Sequence, residues 1–336
     1  MKHKLLQWIC CPGCHSPLTL HSAQSEEEEV IEGSLACLQC GQVYPVRKGV
    51  PWFEKFGNPT VESRSRDHFG TLWTEYSGEP EPVAAKEHVD RLEEALQRKI
   101  PQGRAGLDAG SGDGRDTFCM AQRNPHLDLI SLEISEGANH TFSRCKGLSN
   151  VHVIGGSVLR LPLKSGVLDF AYSYGVLHHT LDPHKGFAEM CRVLGPKGSV
   201  AVYLYEDHAE NRWKRWALKG VRGLRKVSVK LGPKQLWALC TLLSPFVWFF
   251  FTVPSKILRL VPVWASKADA IPFNFGQGPL SLRGDLYDRF GAKIEYRLSR
   301  QGIEQWYSGQ SCVEVTVCHM PDVAGWACWG RKAESR

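Results

Sequence analysis

The sequence has little that would direct the protein out of the cell. Its N-terminal segment carries positive charge, but the apolar run is too short for a secretory signal and leads into cysteines rather than a small-residue cleavage site. Most of the twelve cysteines are scattered among apolar residues, as in cytosolic enzymes, where cysteine packs as a small hydrophobic residue. These absences exclude a secreted disulfide scaffold and predict a reducing, cytoplasmic location.

Compositional extremes are missing as well. With 336 residues, of which 43% are hydrophobic and 23% charged, the chain is neither disordered nor fibrous and is long enough for one large domain and a small one. Acidic residues are absent from Arg212 to Lys234, a segment that holds nine lysines and arginines. Because the net charge of the whole chain is +6, the remainder sums to −3, and the basic character belongs to this one segment.

Two CxxC pairs near the N-terminus predict a metal site. They are separated by 22 residues, slightly more than the roughly 15–20 that are usual, and the acidic run Glu26–Glu29 is expected to form an exposed tip that takes up the excess. Two such turns complete a tetrahedral site without an open position, so we predict a structural zinc ion bound by Cys11, Cys14, Cys37 and Cys40. A redox dithiol is the alternative. Cys10 competes for the first position, although Pro12 and the phasing of the second pair favour Cys11.

A pattern of apolar and turn residues surrounds these cysteine pairs. It consists of Leu5 and Leu18 around the first pair, Leu35 before the second, and the tail Tyr44-Pro45-x-x-x-Gly49-x-Pro51. The pattern resembles the zinc-ribbon activator subunit of eukaryotic tRNA, rRNA and protein methyltransferases. The resemblance covers residues 1–53 and implies a ribbon fused in cis to the domain that follows. So short a segment has little core of its own, and metal binding would supply much of its folding energy.

From about residue 103 the sequence alternates between strand-like and helix-like segments. Short apolar runs predict five strands, at 105–108, 127–134, 151–154, 168–174 and 199–205. A helix around 299–307 and strands near 313–317 and 325–329 follow. This alternation predicts an α/β fold with a doubly wound, mostly parallel Rossmann-like sheet, whose ligand site lies at the carboxyl ends of the strands. We assign it to residues 103–208 and 283–333.

The loop after the first of these strands predicts a nucleotide site. The range Gly110–Gly114 holds three glycines, which let the backbone turn sharply and approach a ligand, and the following helix offers free N–H groups to an anion. A dinucleotide fingerprint would require a third glycine where Arg115 stands. Asp108 before the loop also departs from that fingerprint. Glu133, at the end of the second strand, can accept hydrogen bonds from both ribose hydroxyls.

Five motifs follow one another along this domain: Asp108–Gly114, Glu133–Ser135, Gly156–Pro162, Asp169–His179 and Glu189–Gly198. In this order they resemble the motifs of class I S-adenosylmethionine-dependent methyltransferases. The match is closest to the branch of ubiquinone/menaquinone C-methyltransferases and many small-molecule enzymes. The resemblance implies S-adenosylmethionine as the cofactor and methyl transfer as the reaction.

The resemblance also implies a role for each cofactor-binding position. The methionine moiety would be held by Asp108, Gly110, Ser111 and Gly112, the ribose by Glu133 with Ile134 beside it, and the adenine by Ser157 and Val158. Ser157 stands where relatives carry an aspartate for the adenine amine, and a neutral hydroxyl is a weaker partner, so the Val158 backbone N–H is expected to share the contact. Tyr174 would lie near the sulfonium.

Candidates for acid–base catalysis follow the fourth and fifth strands. His178 and His179 come just after the fourth strand, and Tyr203, Tyr205 and Glu206 end the fifth. Methyl transfer is an in-line displacement at an activated carbon, so positioning and desolvation supply most of the rate. A general base is needed only if the acceptor must lose a proton. The alternative is that the histidine pair is a structural feature of the fold.

Two segments lie outside the ribbon and the sheet. Residues 54–102 are predicted to form a helical linker, in which an aromatic motif caps the cofactor pocket through Phe69, Trp73 and Tyr76. Residues 209–282 are predicted to form a helical insertion after the fifth strand. It begins with the basic segment and continues with Leu236–Val253, which contains no charged residue.

Several interpretations of the insertion stay open. An apolar helical face can form a lid on the core or pack against a second subunit in a homo-oligomer. Basic and aromatic neighbours also suit peripheral contact of residues 212–253 with an anionic membrane surface. Pro245 interrupts the apolar run and disfavours a transmembrane span. The basic residues could instead follow RNA phosphates.

Three functions are therefore compatible with the sequence. The first is an S-adenosylmethionine-dependent methyltransferase acting on a small or lipophilic molecule that enters under the lid at 209–282. The second is an RNA (tRNA or rRNA) methyltransferase, in which the ribbon and the basic segment bind the nucleic acid. The third is a methyltransferase-like binding protein without turnover, which the departure at Ser157 keeps open.

Overall fold

The computed structural model describes residues 1–26, 29–54, 61–73, 87–209, 212–264, 267–268, 271, 273, 276–321 and 323–334. The chain divides into two compact units. The first unit consists of Met1–Thr74, Lys86–Asp207 and Ile294–Arg336, and the second of Glu75–Ala85 and His208–Lys293. All twelve cysteines lie among the described residues and are free thiols.

The first unit holds all the strands that the structure describes. They are β1 (Leu18–Glu26), β2 (Glu29–Cys37), β3 (Val43–Arg47), β4 (Val50–Pro51), β5 (Ala105–Ala109), β6 (Asp128–Glu133), β7 (Val151–Gly155), β8 (Leu168–Tyr174), β9 (Leu194–Leu204), β10 (Cys312–His319) and β11 (Trp326–Lys332). Its helices are α1 (Val61–Thr71), α2 (His88–Leu96), α3 (Arg115–Arg123), α4 (Gly137–Arg144), α5 (Pro183–Val193) and α10 (Arg300–Gly309).

The larger sheet has seven strands in the order β10-β11-β9-β8-β5-β6-β7. The five strands from β5 to β9 are parallel, and β11 and β10 add to β9 as an antiparallel hairpin. Every residue of β5 and β7 is buried, as expected of strands with both faces covered. The strand order reverses at β5, so a ligand crevice is expected at the carboxyl ends there. The predicted fold class is confirmed.

The largest difference from the predicted strand boundaries is at the start of β9. β9 begins at Leu194 rather than at Ser199. Leu194 pairs with Leu168 at the start of β8, and the register then shifts before Phe170 pairs with Ser199. Pro196 and Gly198 lie in this irregular stretch and hide the early pairing from a pattern of apolar residues.

The N-terminal segment adds directly to the larger sheet. Its four strands form an antiparallel sheet in the order β1-β2-β3-β4, and Trp52, just after β4, pairs in parallel with Gly155 at the end of β7. The Phe53 backbone N–H donates to the Gly155 carbonyl oxygen at 2.7 Å. Ile9 forms an antiparallel bridge with Leu163. Buried residues of both sheets belong to one continuous hydrophobic core.

This docking predicts that Gly155→Ala destabilises the first unit. A Cβ at Gly155 would lie 2.2 Å from the Trp52 ring. Overpacking of this kind costs about 1–3 kcal/mol, so we expect a lower midpoint in chemical denaturation. Gly309→Ala is the matched control, because nothing lies within 4 Å of a Cβ there and alanine is the better helix former. Equal stability of the Gly155→Ala variant and the wild type would contradict the docking.

The second unit is helical where it is described. It contains α6 (Arg212–Ser228), α7 (Pro233–Val247), a π-helical turn (Trp248–Thr252), α8 (Val253–Arg259) and α9 (Arg283–Gly291). Both α6 and α7 pack on α9: the Ser228 hydroxyl donates to the Phe290 carbonyl oxygen at 2.7 Å, and the Trp237 and Tyr287 rings lie 5.7 Å apart. Most of the predicted insertion therefore lies in a unit of its own.

Candidate functional site

The turn after β5 is tied to the end of β6. The backbone N–H groups of Gly110 and Ser111 both donate to the Leu132 carbonyl oxygen, at 2.7 and 3.0 Å. Gly110 and Gly112 have positive φ angles of 89° and 58°, which favour glycine. A Cβ at Gly112 would lie 2.9 Å from the Trp73 ring. The loop therefore needs glycine both for its backbone and for the ring that covers it.

Glu133 ends β6 directly beside this turn. Its carboxylate accepts hydrogen bonds from the Gly112 N–H at 3.0 Å, from the Ser135 N–H at 2.9 Å and from the Ser135 hydroxyl at 2.6 Å. The side chain is buried. Burial raises the pKa of Glu133, and these hydrogen bonds oppose the rise. The carboxylate is thus fixed in one orientation at the carboxyl edge of the sheet.

Asp108 lies one strand away, near the end of β5. The Thr117 hydroxyl donates to its carboxylate at 2.5 Å and also lies 3.2 Å from the Ser131 hydroxyl. Asp108 is only 2% exposed. Burial, followed by the nearby Asp116 carboxylate, raises the pKa of Asp108 to about 7. Two buried carboxylates at one edge favour a ligand that carries positive charge.

Ser157 follows β7 at the same edge. Its hydroxyl accepts a hydrogen bond from the Leu159 N–H at 3.2 Å and so caps the short 3₁₀ turn Val158–Arg160. The Gly156 N–H donates to the Glu133 carbonyl oxygen at 3.0 Å, which ties this loop to the end of β6. The serine therefore has a local role in shaping the loop.

Tyr174 ends β8 in a stack of aromatic rings. The His88 ring lies 4.4 Å from it on one side and the Tyr203 ring 4.3 Å on the other, with interplanar angles of 13° and 18°. His88 is held by Asp116, whose carboxylate lies 3.3 Å from its Nδ1 and also accepts from the Tyr172 hydroxyl at 2.9 Å. This stack fixes the ring of Tyr174 and buries much of its face.

His88, Asp116 and Thr117 were not predicted from the sequence as site residues. Asp116 and Thr117 begin α3, directly after the glycine turn, and both are buried. The sequence shows that both residues are polar and follow the glycine turn. The first turn of a helix has backbone N–H groups without a partner inside the helix, so polar residues there are a signal for a ligand contact. His88 gave no such signal, because it reaches Tyr174 from the segment assigned to the linker.

The aromatic motif of α1 contacts three loops at the carboxyl edge. The Phe69 ring lies 5.3 Å from that of His179 after β8, and a Cβ at Gly70 would be 3.5 Å from the Ser135 Cβ after β6. Trp73 covers Gly112 after β5, as described above. Tyr76, the last member of the predicted motif, lies outside the described residues.

The two histidines after β8 have different surroundings. His178 is fully buried, its ring is stacked 3.9 Å from that of Tyr205, and neither ring nitrogen has a hydrogen-bond partner among the described residues. Burial lowers the pKa of His178 well below its usual value, so the ring is neutral at neutral pH. The His179 Nδ1 lies 2.7 Å from the Ile294 carbonyl oxygen, which can only accept, so Nδ1 carries a hydrogen.

The structure thus gathers the predicted residues into two neighbouring groups. One comprises the glycine turn, the two acids, the loop after β7 and Tyr174. The other is the ring cluster of His178, His179 and Tyr205, linked to the first through Tyr203, whose ring is 5.9 Å from that of Tyr205.

The four predicted zinc ligands also come together. The Sγ atoms of Cys11, Cys14, Cys37 and Cys40 lie within 4.8 Å of one another. The Cys11–Cys40 and Cys14–Cys37 sulfur pairs are each 3.5 Å apart. Thiolates about 2.3 Å from a tetrahedral zinc ion are separated by about 3.8 Å, so the cluster fits that ion. Cys10 is outside the cluster, 3.9 Å from the His15 Nδ1, and the Tyr44 hydroxyl contacts the Cys11 sulfur at 3.2 Å.

Two segments of the chain match known families. Residues 107–202 match the family described as "Methyltransferase domain", and residues 2–49 match "Trm112p-like protein". Both resemblances drawn from the sequence are confirmed for these segments: the chain carries a methyltransferase domain behind a Trm112p-like domain. The methyltransferase domain implies S-adenosylmethionine as the methyl donor, and the four-cysteine cluster suggests a structural zinc ion.

Individual relatives are similar over limited lengths. An uncharacterised protein of Synechococcus sp. is 30% identical over 126 residues, which are 36% of this chain and 30% of that protein. Malonyl-[acyl-carrier protein] O-methyltransferase of Methylovorus sp. is 31% identical over 117 residues, 33% of this chain and 38% of that protein. The chain spans less than half the length of these curated relatives.

Solved methyltransferase structures are similar to this chain only at low identity and low TM-score. A complex that contains the Haloferax volcanii Trm112 methyltransferase activator is 12% identical, and the match covers 74% of this chain and 91% of that chain with a TM-score of 0.44. A methyltransferase from Aquifex aeolicus is 13% identical over 71% of this chain and 88% of that chain, with a TM-score of 0.41.

Proposed function

We propose that the protein is an S-adenosylmethionine-dependent methyltransferase that acts on a small or lipophilic acceptor. The observation that carries the proposal is the glycine turn after β5, held between the buried carboxylates of Asp108 and Glu133 inside a matched methyltransferase domain. The class of acceptor is supported by the resemblance of the five sequence motifs to those of methyltransferases that act on small molecules. It is also supported by the similarity to a malonyl-[acyl-carrier protein] O-methyltransferase.

Each group at the carboxyl edge would have a distinct part in binding. S-adenosylmethionine supplies a methyl group activated by its sulfonium charge. Asp108 would attract the cationic methionine moiety beside the N–H groups of Gly110–Gly112, and Glu133, fixed by Ser135, would bind the ribose hydroxyls. The loop at Ser157 and Val158 would line the adenine. Tyr174, whose two ring faces are covered by His88 and Tyr203, would border the sulfonium with its backbone.

The ring cluster would serve the acceptor. His178 is neutral, and its burial disfavours the protonated ring, so it would position the acceptor rather than take a proton from it. His179 carries its hydrogen on Nδ1, which leaves Nε2 as the basic atom of a neutral ring. A base is required only for acceptors that must lose a proton. Positioning by these rings and exclusion of water by the buried cluster would supply the rest of the rate.

Transfer of a labelled methyl group tests the proposed function. The purified protein and methyl-labelled S-adenosylmethionine are incubated with a cell extract, which is then fractionated into RNA, lipid, protein and small molecules. We expect label in the lipid or small-molecule fraction. Label confined to RNA would replace the acceptor class by nucleic acid, and tight cofactor binding without any transfer would favour a binding protein.

The raised pKa of Asp108 predicts that affinity for S-adenosylmethionine depends on pH. Because that pKa is about 7 in the free protein, the Asp108 carboxyl is mostly protonated below pH 7. It must then lose its proton before it can attract a cationic ligand. Affinity should therefore rise with pH, by roughly eightfold from pH 6 to pH 7.5 if the bound carboxyl stays ionised. Calorimetry at several pH values measures this. Adenosine, which lacks the methionine moiety, is the control and should show no such rise.

A further inference from the structure

The large apolar side chains that are exposed in the described part of the chain concentrate in the second unit. Phe249 and Phe250 are 60% and 65% exposed, and Leu260 is 80% exposed. The other exposed members of this apolar surface are Leu239, Leu242, Leu243, Phe246, Phe251, Ile257, Val261, Val263 and Trp264. Soluble monomers rarely expose so large a contiguous apolar surface without a partner.

The opposite face of the helix from Pro233 to Arg259 is buried, and it carries three hydroxyl groups beside Leu236 and Cys240. The hydroxyls of Ser244, Thr252 and Ser255 donate to the carbonyl oxygens of Pro279, Phe273 and Ala268, at 2.7, 2.5 and 3.1 Å. All three hydroxyl side chains are buried. A helix in a soluble protein normally has its apolar face inside and its polar face outside. Here the large aromatic side chains face outward, and the three hydrogen bonds fix that rotation, because turning these side chains inward would break them.

The length and the apolar composition of this helix also suit contact with lipid. The helix from Pro233 to Arg259, including the π-helical turn, is the one among the described residues that is long and apolar enough to cross a membrane, and only 22% of its apolar window is buried. A spanning helix would be surrounded by lipid, whereas one face of this helix is hydrogen-bonded to Ala268, Phe273 and Pro279 of its own unit. The geometry fits a helix that lies in the plane of an interface.

The neighbouring helix α6 carries a cationic stripe. Arg215, Lys219, Arg222 and Lys226 are exposed and follow one another at spacings of three or four residues, which places them on one face. No acidic residue lies between Arg212 and Lys234. Since α6 and α7 both pack on α9, the cationic stripe and the apolar surface belong to one compact body.

We propose that the second unit attaches the protein to an anionic lipid bilayer. The cationic stripe of α6 contacts the headgroups, and the phenylalanine-rich face of the 233–259 helix enters the boundary with the acyl chains. A bilayer surface matches both features, because it offers negative charge and an apolar layer side by side. RNA would satisfy the cations but not the leucines. In a twofold dimer through this surface, the cations would face one another without acids. The inference does not depend on methyl transfer.

Flotation of the full-length protein with vesicles tests the proposal. We expect at least tenfold stronger association with phosphatidylcholine vesicles that contain about a third phosphatidylglycerol than with phosphatidylcholine alone, and a decrease as salt rises. Arg222→Glu with Lys226→Glu should weaken association with the anionic vesicles at least tenfold. Phe249→Ser with Phe250→Ser should weaken association with both kinds of vesicle.

Matched variants in the first unit control for charge and hydrophobicity. Lys146→Glu with Arg104→Glu changes the net charge equally, and Val313→Ser with Val315→Ser removes two exposed apolar side chains. Both should float like the wild type. Circular dichroism checks that every variant is folded.

Four results would overturn the proposal. The first is no flotation with anionic vesicles at low salt, and the second is flotation that neither the α6 variant nor the phenylalanine variant changes. The third is a protein that binds no vesicles but forms a dimer, which the phenylalanine variant dissociates. The fourth is salt-sensitive binding of RNA in place of vesicle binding. Because flotation measures lipid association alone, it can fail while methyl transfer is observed, and the reverse.

Discussion

Replacing Asp108 by asparagine is expected to weaken the binding of S-adenosylmethionine by about thirtyfold or more, since removing one partner of a buried charge pair costs about 2–5 kcal/mol. The substitution is nearly isosteric, and the amide oxygen can still accept the hydrogen bond from Thr117. The loss should therefore come from the missing charge rather than from a collapsed loop. Isothermal calorimetry of the wild type and the variant measures it.

The same substitution should change how stability depends on pH. The pKa of Asp108 is raised in the folded protein, from 3.8 to about 7, so its ionisation opposes folding. The wild type should lose stability from this group as pH rises from about 4 to about 7, and the Asp108→Asn variant should lack that loss. Asp169→Asn is the matched control: Asp169 accepts from the N–H groups of Arg104 and Ala105 at the other end of β5. Wild-type affinity in the Asp108 variant would refute the assigned role.

Loss of one zinc ligand should unfold the N-terminal ribbon and destabilise the sheet on which it is docked. Structural zinc contributes about 10–16 kcal/mol of apparent binding energy in small metal-dependent folds. The buried core here is shared between the ribbon and the larger sheet. Cys37→Ser should therefore reduce the metal content from one zinc per chain to near zero and lower the thermal midpoint by many degrees. Atomic emission and calorimetric scanning measure the two effects.

The chain contains a close control for this experiment. Cys10 is buried and directly adjacent to the first ligand, but its thiol lies outside the four-sulfur cluster. Cys10→Ser should keep its zinc and lose only the small packing contribution of one thiol. Zinc lost from Cys10→Ser and kept by Cys37→Ser would show that the ligand set is wrong.

The parts of the fold that local sequence determines could be predicted. A CxxC turn directs two thiolates to one point whatever surrounds it, and the glycines at 110 and 112 are needed for backbone angles that few other residues adopt. The parallel sheet followed from apolar runs alternating with helices, because strands buried on both faces are mostly apolar.

The remaining features depend on contacts between distant segments. The ring of His88 reaches Tyr174 from another part of the chain, and no local pattern around residue 88 records that stack. Ser157 was considered only as a weak partner of adenine, although its hydroxyl caps the turn that follows. The sequence shows that Leu236–Val253 is apolar, but it does not show which face of the helix is buried. That rotation depends on three hydroxyl groups that donate to carbonyl oxygens up to 35 residues away.

The docked ribbon also limits which other chains can bind at the β7 edge of the sheet. β7 is the outermost strand, and an outermost strand offers unpaired backbone groups to any passing chain. In this protein the Lys2 ammonium donates a hydrogen bond to the Val151 carbonyl oxygen at 2.9 Å, and the Phe53 backbone N–H donates to that of Gly155. A free activator subunit would find these positions filled by a tethered competitor at high effective concentration. Because both domains belong to one chain, they are kept in a fixed one-to-one ratio at any expression level.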